Sequence, residues 1–192
     1  MFKKLAATAL AATAALAAPA AMAGEIETLK GGYRFLDQEH QVLVDAITRA
    51  GVTVRVNVGA DCEGGHDGVY MPQDGILAIC QDNAPQVHWN EVRWTANDLD
   101  TLRHEAVHLL QDCNADDGIG GYSQLWFSTD EKRVAFVKDS LSPRKIKWII
   151  KTYVEAGASD FVLDAEMEAF SIAATINPES IAQAINSTCP AR

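Results

Sequence analysis

The sequence has few charges, few prolines and no long run of basic residues. Of its 192 residues, 22% are charged and six are proline, which argues against disorder over most of the length. The mean hydropathy of −0.05 argues against a multi-span membrane protein. The formal net charge of −10 and the isoelectric point of about 4.8 argue against nucleic-acid binding, since a phosphate backbone needs a basic surface. The length makes a single domain the default expectation.

Residues 1–23 have the pattern of a secretory signal peptide. A basic start at Lys3 and Lys4 is followed by an alanine- and leucine-rich run that ends in Ala-Met-Ala at residues 21–23, as signal peptides do before their cleavage site. An uncleaved anchor helix is the alternative, which the weakly apolar character of alanine disfavours. We expect residues 24–192 to form one domain of a secreted or periplasmic protein, with no stable insertion into a membrane.

The four cysteines are an even number, and none of them belongs to a Cys-x-x-Cys motif. In an exported chain this pattern predicts two disulfides and disfavours a zinc ribbon or a thioredoxin-type redox site. Three connectivities are possible. We favour Cys62–Cys80, which would close a short β region, and Cys113–Cys189, which would hold the C-terminal tail against the central helix. Free buried thiols are the alternative.

The apolar periodicity predicts an α+β fold in the order helix, three strands, helices. Strict alternation of valine with other residues, as between residues 52 and 58, is typical of a strand with one buried face. A capping box at Thr95 marks the start of the central helix. The expected segments are an irregular stretch at 24–35, a helix at 37–50, strands at 52–58, 69–71 and 76–80, helices at 96–112, 131–139, 143–156 and 160–176, and a short helix from Pro178. The strands predict a short mixed or antiparallel sheet.

The central helix carries two histidines four residues apart with a glutamate between them. His104 and His108 therefore share one helix face, with Cβ atoms about 5–6 Å apart, and both imidazoles can reach one Zn²⁺. Glu105 is rotated by about 100° from His104, so it lies beside the metal, where it can take a proton from a zinc-bound water. A pair of surface histidines with a solvated glutamate is the alternative.

This His-Glu-x-x-His motif, flanked by apolar residues in the middle of a helix, resembles that of the zincin metallopeptidases. The resemblance implies a small zincin-like domain and an exported zinc-dependent peptidase that acts on a peptide or protein. His104, His108 and a third ligand would bind Zn²⁺, and a water would fill the fourth position. Glu105 would be the general base toward that water and then the acid toward the leaving amine. No histidine follows His108, which excludes the metzincin layout, so the third ligand should be an acid.

Two glutamates near the C-terminal end compete for the third ligand position. Helical phase puts Glu166 in an apolar stripe with Val162, and it puts Glu168 in a polar stripe with Asp164 and Ser171 that should face water. A carboxylate on a buried face needs a partner or a metal. This argument favours Glu166 as the ligand and Glu168 as a surface residue. The glutamate zincins tend to carry a Glu-x-x-Ala or Glu-x-x-Ser pattern, which fits both.

The resemblance also raises the question of what supports the ligands and the substrate. Many glutamate zincins place an aspartate four residues after the third ligand, and here that position is Phe170. Asp100, one turn before His104, is a guess for the missing support. The strand at Ile76–Ile79 is the expected edge along which an extended peptide adds. His88, Tyr122 and Tyr153 are possible donors to the developing oxyanion, and we interpret His40 and His66 as surface residues.

Two other hypotheses remain open. The first is a non-catalytic zincin-like module that keeps the metal as a structural or binding element in a secreted interaction protein stabilised by two disulfides. The phenylalanine at position 170 and the absence of a recognisable propeptide favour this hypothesis. The second is an exported protein without metal. The sequence leaves the oligomeric state open.

Overall fold

The structure is a computed structural model that describes residues 26–28, 32–84, 91–115 and 123–189. An N-terminal strand is followed by a helix, three strands and five helices, which confirms the predicted α+β class. The elements are β1 (Ile26–Thr28), α1 (Gln38–Arg49), β2 (Thr53–Val56), β3 (Gly68–Met71), β4 (Ile76–Ile79), α2 (Ala96–Cys113), α3 (Asp130–Ser140), α4 (Pro143–Glu155), α5 (Asp160–Thr175) and α6 (Pro178–Thr188). No helix within the described ranges has the length and apolar character needed to cross a membrane.

The strands form one mixed sheet in the order β1-β2-β4-β3. Strands β1, β2 and β4 are parallel, and β3 is antiparallel to β4. The alternation predicted for β2 is confirmed, because Val54 and Val56 have no exposed surface. The prediction of an irregular stretch over residues 24–35 is wrong at β1, which pairs with β2 through Ile26, Glu27 and Thr28. Pairing with a neighbouring strand decides the conformation of such a short segment, whose own sequence carries little periodicity.

The strand expected to bind an extended peptide does not lie at an edge of the sheet. Ile76–Ile79 pairs with β2 on one side and with β3 on the other, so its backbone has no free edge and that prediction is wrong. Chain order was misleading because the turn at residues 72–75 folds β3 back along the outer side of β4. Gly75 in that turn has a φ of +63°, a conformation that favours glycine. The edge strand nearest the central helix is therefore β3.

The central helix α2 packs against α1, α5, α6 and the strands β3 and β4. Its predicted capping box is confirmed: the side chain of Thr95 accepts from the backbone N–H of Asp98, whose carboxylate accepts from the backbone N–H of Thr95. The main hydrophobic core joins α1, the sheet, α2 and α6. A second, smaller cluster joins α3, α4 and α5. Helix α5 thus lies between α2 and the α3–α4 pair, which leaves little of its surface to solvent.

Both favoured disulfides are present. Cys62 pairs with Cys80, and Cys113 pairs with Cys189, so no cysteine is free. The second bond joins the end of α2 to the end of α6, as predicted. The bonds link residues 18 and 76 positions apart, and loop-closure entropy gives them about 3 and about 4.5 kcal/mol of stabilisation. Two disulfides in a chain of this size are typical of an oxidising compartment outside the cytoplasm.

Candidate metal centre

Three side chains from α2 and α5 bring their ligand atoms together. The Nε2 atoms of His104 and His108 are 3.1 Å apart. One carboxylate oxygen of Glu166 lies 3.1 Å from the His104 Nε2, and the other lies 3.4 Å from the His108 Nε2. The helical repeat of α2 puts the two imidazoles on one face, and the packing of α5 on α2 brings the carboxylate to them. These three residues form a group that could hold a metal ion.

The spacing of the three donors fits a tetrahedral ion. Zinc ligands at about 2.0–2.1 Å from the ion in tetrahedral geometry lie about 3.3 Å from one another, close to the separations of 3.1 to 3.4 Å observed here. Nitrogen and carboxylate donors are also the ligands of catalytic zinc sites. Lone pairs that face one another at such distances repel unless a positive charge lies among them. The donor set therefore fits a divalent cation.

The cluster is largely withdrawn from solvent, and its charges shift one another's pKa values. The side chains of His104, His108 and Glu166 are 9%, 19% and 15% exposed. Burial alone lowers the pKa of His108, but its hydrogen bond to Glu166 and the charges of Glu105 and Glu166 outweigh burial and raise that pKa to about 9. Burial raises the pKa of Glu166, but its hydrogen bonds to the two histidines outweigh this and hold the pKa well below its usual range.

The far side of His104 faces an aromatic ring instead of an acid. The Phe170 ring lies against the imidazole with 4.3 Å between ring centroids, and the buried Nδ1 of His104 has no hydrogen-bond partner among the described residues. The guess that Asp100 supports His104 is wrong. Asp100 instead pairs with Arg103 at 3.1 Å, because that guanidinium is three residues away on the same helix.

His108 has a hydrogen-bonded support that the sequence analysis missed. Its Nδ1 lies 2.8 Å from the side-chain oxygen of Gln111. The amide nitrogen of Gln111 donates to the Glu168 carboxylate at 2.7 Å and to the Ala165 carbonyl at 3.0 Å. These two bonds fix which end of the amide faces His108, so Nδ1 must be the donor and Nε2 is left to face the metal site. The signal in the sequence was a glutamine three residues after the second histidine.

The expectation that Glu168 is a surface residue is wrong. Its side chain has no exposed surface, and its carboxylate accepts from Gln111 and from the backbone N–H groups of Trp126 and Phe127, each at 2.8 Å. Ser171 in the same stripe is also buried, whereas Val162 of the other stripe is 40% exposed. The two-face argument fails because α5 is covered by helices on both sides. The structure brings Glu166, and not Glu168, to the imidazoles.

Glu105 lies beside the cluster under the edge of the sheet. It is 7% exposed, and its charge acts on both His108 and Tyr153. Strand β3 passes so close that a Cβ atom added to Gly68 would lie 2.5 Å from a Thr101 methyl carbon and 3.3 Å from the Glu105 Cγ. The edge strand can approach this glutamate only because residue 68 lacks a side chain.

A cleft of about 580 Å³ opens over the cluster. The loop before β3 and the start of that strand form one wall, the first half of α2 forms the floor, and α4 forms the opposite wall. His104 and Glu105 line this cleft, as do Tyr153 and Phe170. His66 lies in the loop wall and is exposed, as predicted. Such a cleft is large enough for several residues of an extended peptide.

Of the three oxyanion candidates, only Tyr153 falls within the described residues; His88 and Tyr122 lie outside them. Burial raises the pKa of Tyr153, and a hydrogen bond to Glu166 and the charges of Glu166 and Glu105 raise it further. The phenol therefore keeps its proton throughout the physiological pH range. Tyr153 lies in the cleft wall, so its phenol is a hydrogen-bond donor beside the candidate metal centre.

The expectation that His40 lies on the surface is wrong. It is 5% exposed; its Nδ1 bonds to Asp37 and its Nε2 to Arg103, each at 2.8 Å. Arg103 also donates to the Ala173 carbonyl at 2.9 Å. Because a guanidinium only donates, the His40 ring must donate to Asp37. This network joins α1, α2 and α5 immediately before His104, and so helps to fix the two ligand-bearing helices relative to each other.

No curated protein and no solved structure is significantly similar to the chain. One family model does match: residues 33–189 match Domain of unknown function (DUF8637). The match includes the whole candidate metal centre, both disulfides and every helix of the structure. The chain belongs to this family.

Proposed function

We propose that this protein is an exported zinc-dependent peptidase that hydrolyses peptide bonds. The observation that carries the proposal is the convergence of one ligand atom each from His104, His108 and Glu166 within 4.8 Å of one another, with Glu105 beside them in an open cleft. Three protein ligands are the number found in catalytic zinc sites, whereas structural sites have four. The predicted signal peptide at residues 1–23 and the two disulfides support a secreted or periplasmic location.

The donor set supports zinc as the metal. When bound, zinc supplies a Lewis acid that activates water near neutral pH and polarises the scissile carbonyl. His104 and His108 would bind it through Nε2, and Glu166 through its carboxylate. Gln111 would act as a positioning residue, because its bond to the His108 Nδ1 keeps the Nε2 lone pair directed at the ion.

Glu105 would carry the proton during hydrolysis. Its carboxylate would take a proton from the attacking water and then give it to the leaving nitrogen as the C–N bond breaks. Tyr153 would donate a hydrogen bond to the oxygen of the scissile carbonyl as negative charge develops there.

The sheet supports the binding of an extended substrate. The outer edge of β3 pairs with no other strand in the described part of the chain, and its first residue, Gly68, lies over Glu105. A peptide could add to this edge through main-chain hydrogen bonds, which would place a backbone carbonyl near the metal ligands. The net charge of −10 favours a peptide or protein substrate over a nucleic acid.

The Glu105→Gln variant tests this mechanism. We expect it to bind one zinc ion per chain and to lose hydrolysis of an unfolded protein such as denatured casein by about 10²- to 10⁴-fold, the usual contribution of a general base. Cleavage by the unmodified protein should stop with a chelator and return with zinc. Glu155→Gln, at an exposed position on α4, is the matched control and should keep full activity. Full activity in Glu105→Gln contradicts the mechanism.

The environment of His104 favours a second candidate, a non-catalytic metal-binding module. Phe170 contacts this ring, and no described residue bonds to its Nδ1, so within that part of the chain His104 lacks the hydrogen bond that usually tunes a catalytic zinc histidine. Such a module would bind zinc with the same three ligands and would cleave no substrate. The casein assay separates the two candidates, since zinc content alone is the same for both.

A further inference from the structure

The cleft wall formed by α4 carries a lysine whose charge is held by aromatic rings. Lys145 is half-buried in the cleft, and no carboxylate of the described residues forms an ion pair with it. Its Nζ instead lies 4.4 Å from the centre of the Trp148 ring and 4.5 Å from that of Phe170. The two rings hold the ammonium group in place through cation–π contacts, without neutralising its charge.

The ammonium lies close to the candidate metal centre. Phe170 contacts both groups, with its ring centroid 4.5 Å from the Lys145 Nζ and 4.3 Å from the centroid of the His104 ring. The ammonium is therefore at most about 9 Å from the centre of a proposed metal ligand. At about 3.3 Å per residue of extended chain, a substrate group that contacts this ammonium lies within about three residues of the bond at the metal.

The rest of α4 extends this positive charge. No acidic residue occurs between Leu141 and Val154, and the segment contains Arg144, Lys147 and Lys151 in addition to Lys145. Arg144, Lys147 and Lys151 are exposed, and Lys151 is 3.9 Å from Glu155 at the end of the helix. The helix therefore carries a net positive charge in an otherwise acidic protein. A local patch of this kind attracts a ligand of opposite charge.

The acids of the cleft do not cancel this charge. Asp100 on the cleft floor is paired with Arg103 at 3.1 Å. Asp67, on the opposite wall, is exposed and accepts a hydrogen bond from the Asn97 side chain. Glu105 belongs to the proposed catalytic group. The cleft is therefore polarised, with an unpaired cation on the α4 wall and acids on the floor and on the loop wall.

We propose that Lys145 selects substrates with a carboxylate within about three residues of the cleaved bond, as an aspartate or glutamate side chain or as the chain terminus. This inference rests on the proposed peptidase function and names its substrate class. The ammonium would donate a charge-assisted hydrogen bond to the substrate carboxylate, and the exposed cations of α4 would steer acidic segments into the cleft.

The experiment measures cleavage preference in zinc-loaded protein with mixed-sequence peptides, and identifies the products by mass spectrometry. Matched peptides that differ only as Glu against Gln, or as free against amidated C-terminus, then give the ratio of kcat/KM values and distinguish the two carboxylate sources. For the unmodified protein we expect about tenfold or greater preference for the carboxylate, decreasing with added salt. Lys145→Gln should abolish the preference, and Lys145→Glu should reverse it.

Lys147→Gln is the matched control, because Lys147 is an exposed lysine of the same helix that does not line the cleft. It should keep the preference with a slightly smaller kcat/KM. Equal cleavage of acidic and neutral peptides by the unmodified protein overturns the inference, as does a preference that survives Lys145→Gln. If the zinc-loaded protein cleaves no peptide at all, the proposed function fails, and that result is distinct from cleavage without selectivity.

Discussion

Helix α5 carries two glutamates only two residues apart, Glu168 fully buried and Glu166 mostly so, and their surroundings differ in kind. The Glu168 carboxylate accepts three hydrogen bonds, from one side-chain amide and two backbone N–H groups. The Glu166 carboxylate faces the ring nitrogens of two histidines, which can donate to it when protonated and can bind a cation together with it when they are not. The first region is satisfied by fixed protein donors, whereas the second needs a proton or a metal ion between its groups.

This difference shows that burial does not by itself identify a metal ligand. Burial is costly for any carboxylate that lacks partners. Both glutamates have partners, but the partners differ in kind. The informative property is what the carboxylate oxygens face. Donor groups indicate a structural role, whereas other metal-ligating groups indicate a cation site. Gln111 connects the two regions, because its amide bonds to both Glu168 and His108.

The largest expected effect is on zinc affinity. Glu166→Gln removes a charged ligand, and we expect the zinc dissociation constant to rise about a thousandfold or more, given the strong binding free energies of three- and four-ligand zinc sites. Glu168→Gln leaves all three ligands in place, and should weaken binding by about tenfold through Gln111. Competition titration with a chromophoric chelator measures both. Equal losses in the two variants would remove the distinction between the regions.

For the stability of the metal-free protein, we expect the larger effect from Glu168→Gln and the smaller effect from Glu166→Gln. Glu168→Gln puts an NH₂ group against a backbone N–H of Trp126 or Phe127, so we expect the free energy of unfolding to fall by about 2–3 kcal/mol. Glu166→Gln removes the charge that faces His104 and His108, but its amide oxygen can still accept a hydrogen bond there, so the free energy of unfolding should change by less than half as much. Urea denaturation of chelator-treated protein tests this. A larger loss in Glu166→Gln contradicts the interpretation of Glu168 as the structural acid.

A smaller effect is expected from the residue that joins the two regions. Gln111→Ala removes the hydrogen-bond acceptor of the His108 Nδ1, and we expect zinc affinity to fall by about 10- to 100-fold, as for other supporting residues of zinc ligands. Gln111→Glu keeps an acceptor for His108 but places a second negative charge against the Glu168 carboxylate. It should therefore keep more zinc affinity than Gln111→Ala while lowering the stability of the fold. If zinc affinity is unchanged in Gln111→Ala, the amide does not orient the ligand.

The smallest effect is a pH dependence in the metal-free protein. The pKa of His108 is raised from 6.5 to about 9, so its contribution to stability is complete below pH 6.5 and is lost as the pH rises through 9. The lowered pKa of Glu166 acts in the opposite direction, adding stability above pH 4.5 that is lost in stronger acid. We therefore expect the Tm to fall by a few degrees between pH 6.5 and about 9. His108→Gln should remove this fall; a Tm that is flat or rising over the range in the unmodified chain contradicts it.

Most of the fold could be predicted from the sequence because its signals are local. The Thr95 capping box and the alternating valines of β2 depend on neighbouring residues only, and both are confirmed. The even number of cysteines in a chain predicted to be exported indicated two disulfides, and the favoured pairing is present. Strand β1 and the edge position of β3 could not be predicted in this way, because strand order depends on pairing between distant segments.

The candidate site was predictable where it depends on one helix and unpredictable where it depends on packing. The spacing of His104 and His108 fixes their common face. Glu166 was favoured because helical phase predicted that it is buried and that Glu168 is exposed. Glu168 is in fact buried as well, since α5 is covered on two sides instead of one. The support from Gln111 joins residues more than fifty positions apart, and no periodicity within a single helix reveals such a contact.

X-ray absorption spectroscopy at the zinc edge tests the central claim most directly. For the zinc-loaded protein the structure predicts two imidazole nitrogens and one carboxylate oxygen at about 2.0–2.2 Å. The same spectrum should be seen in Glu168→Gln, and Glu166→Gln should lose the carboxylate or the metal. Zinc without two histidine ligands, or a coordination that Glu166→Gln leaves unchanged, would contradict the assignment of this centre.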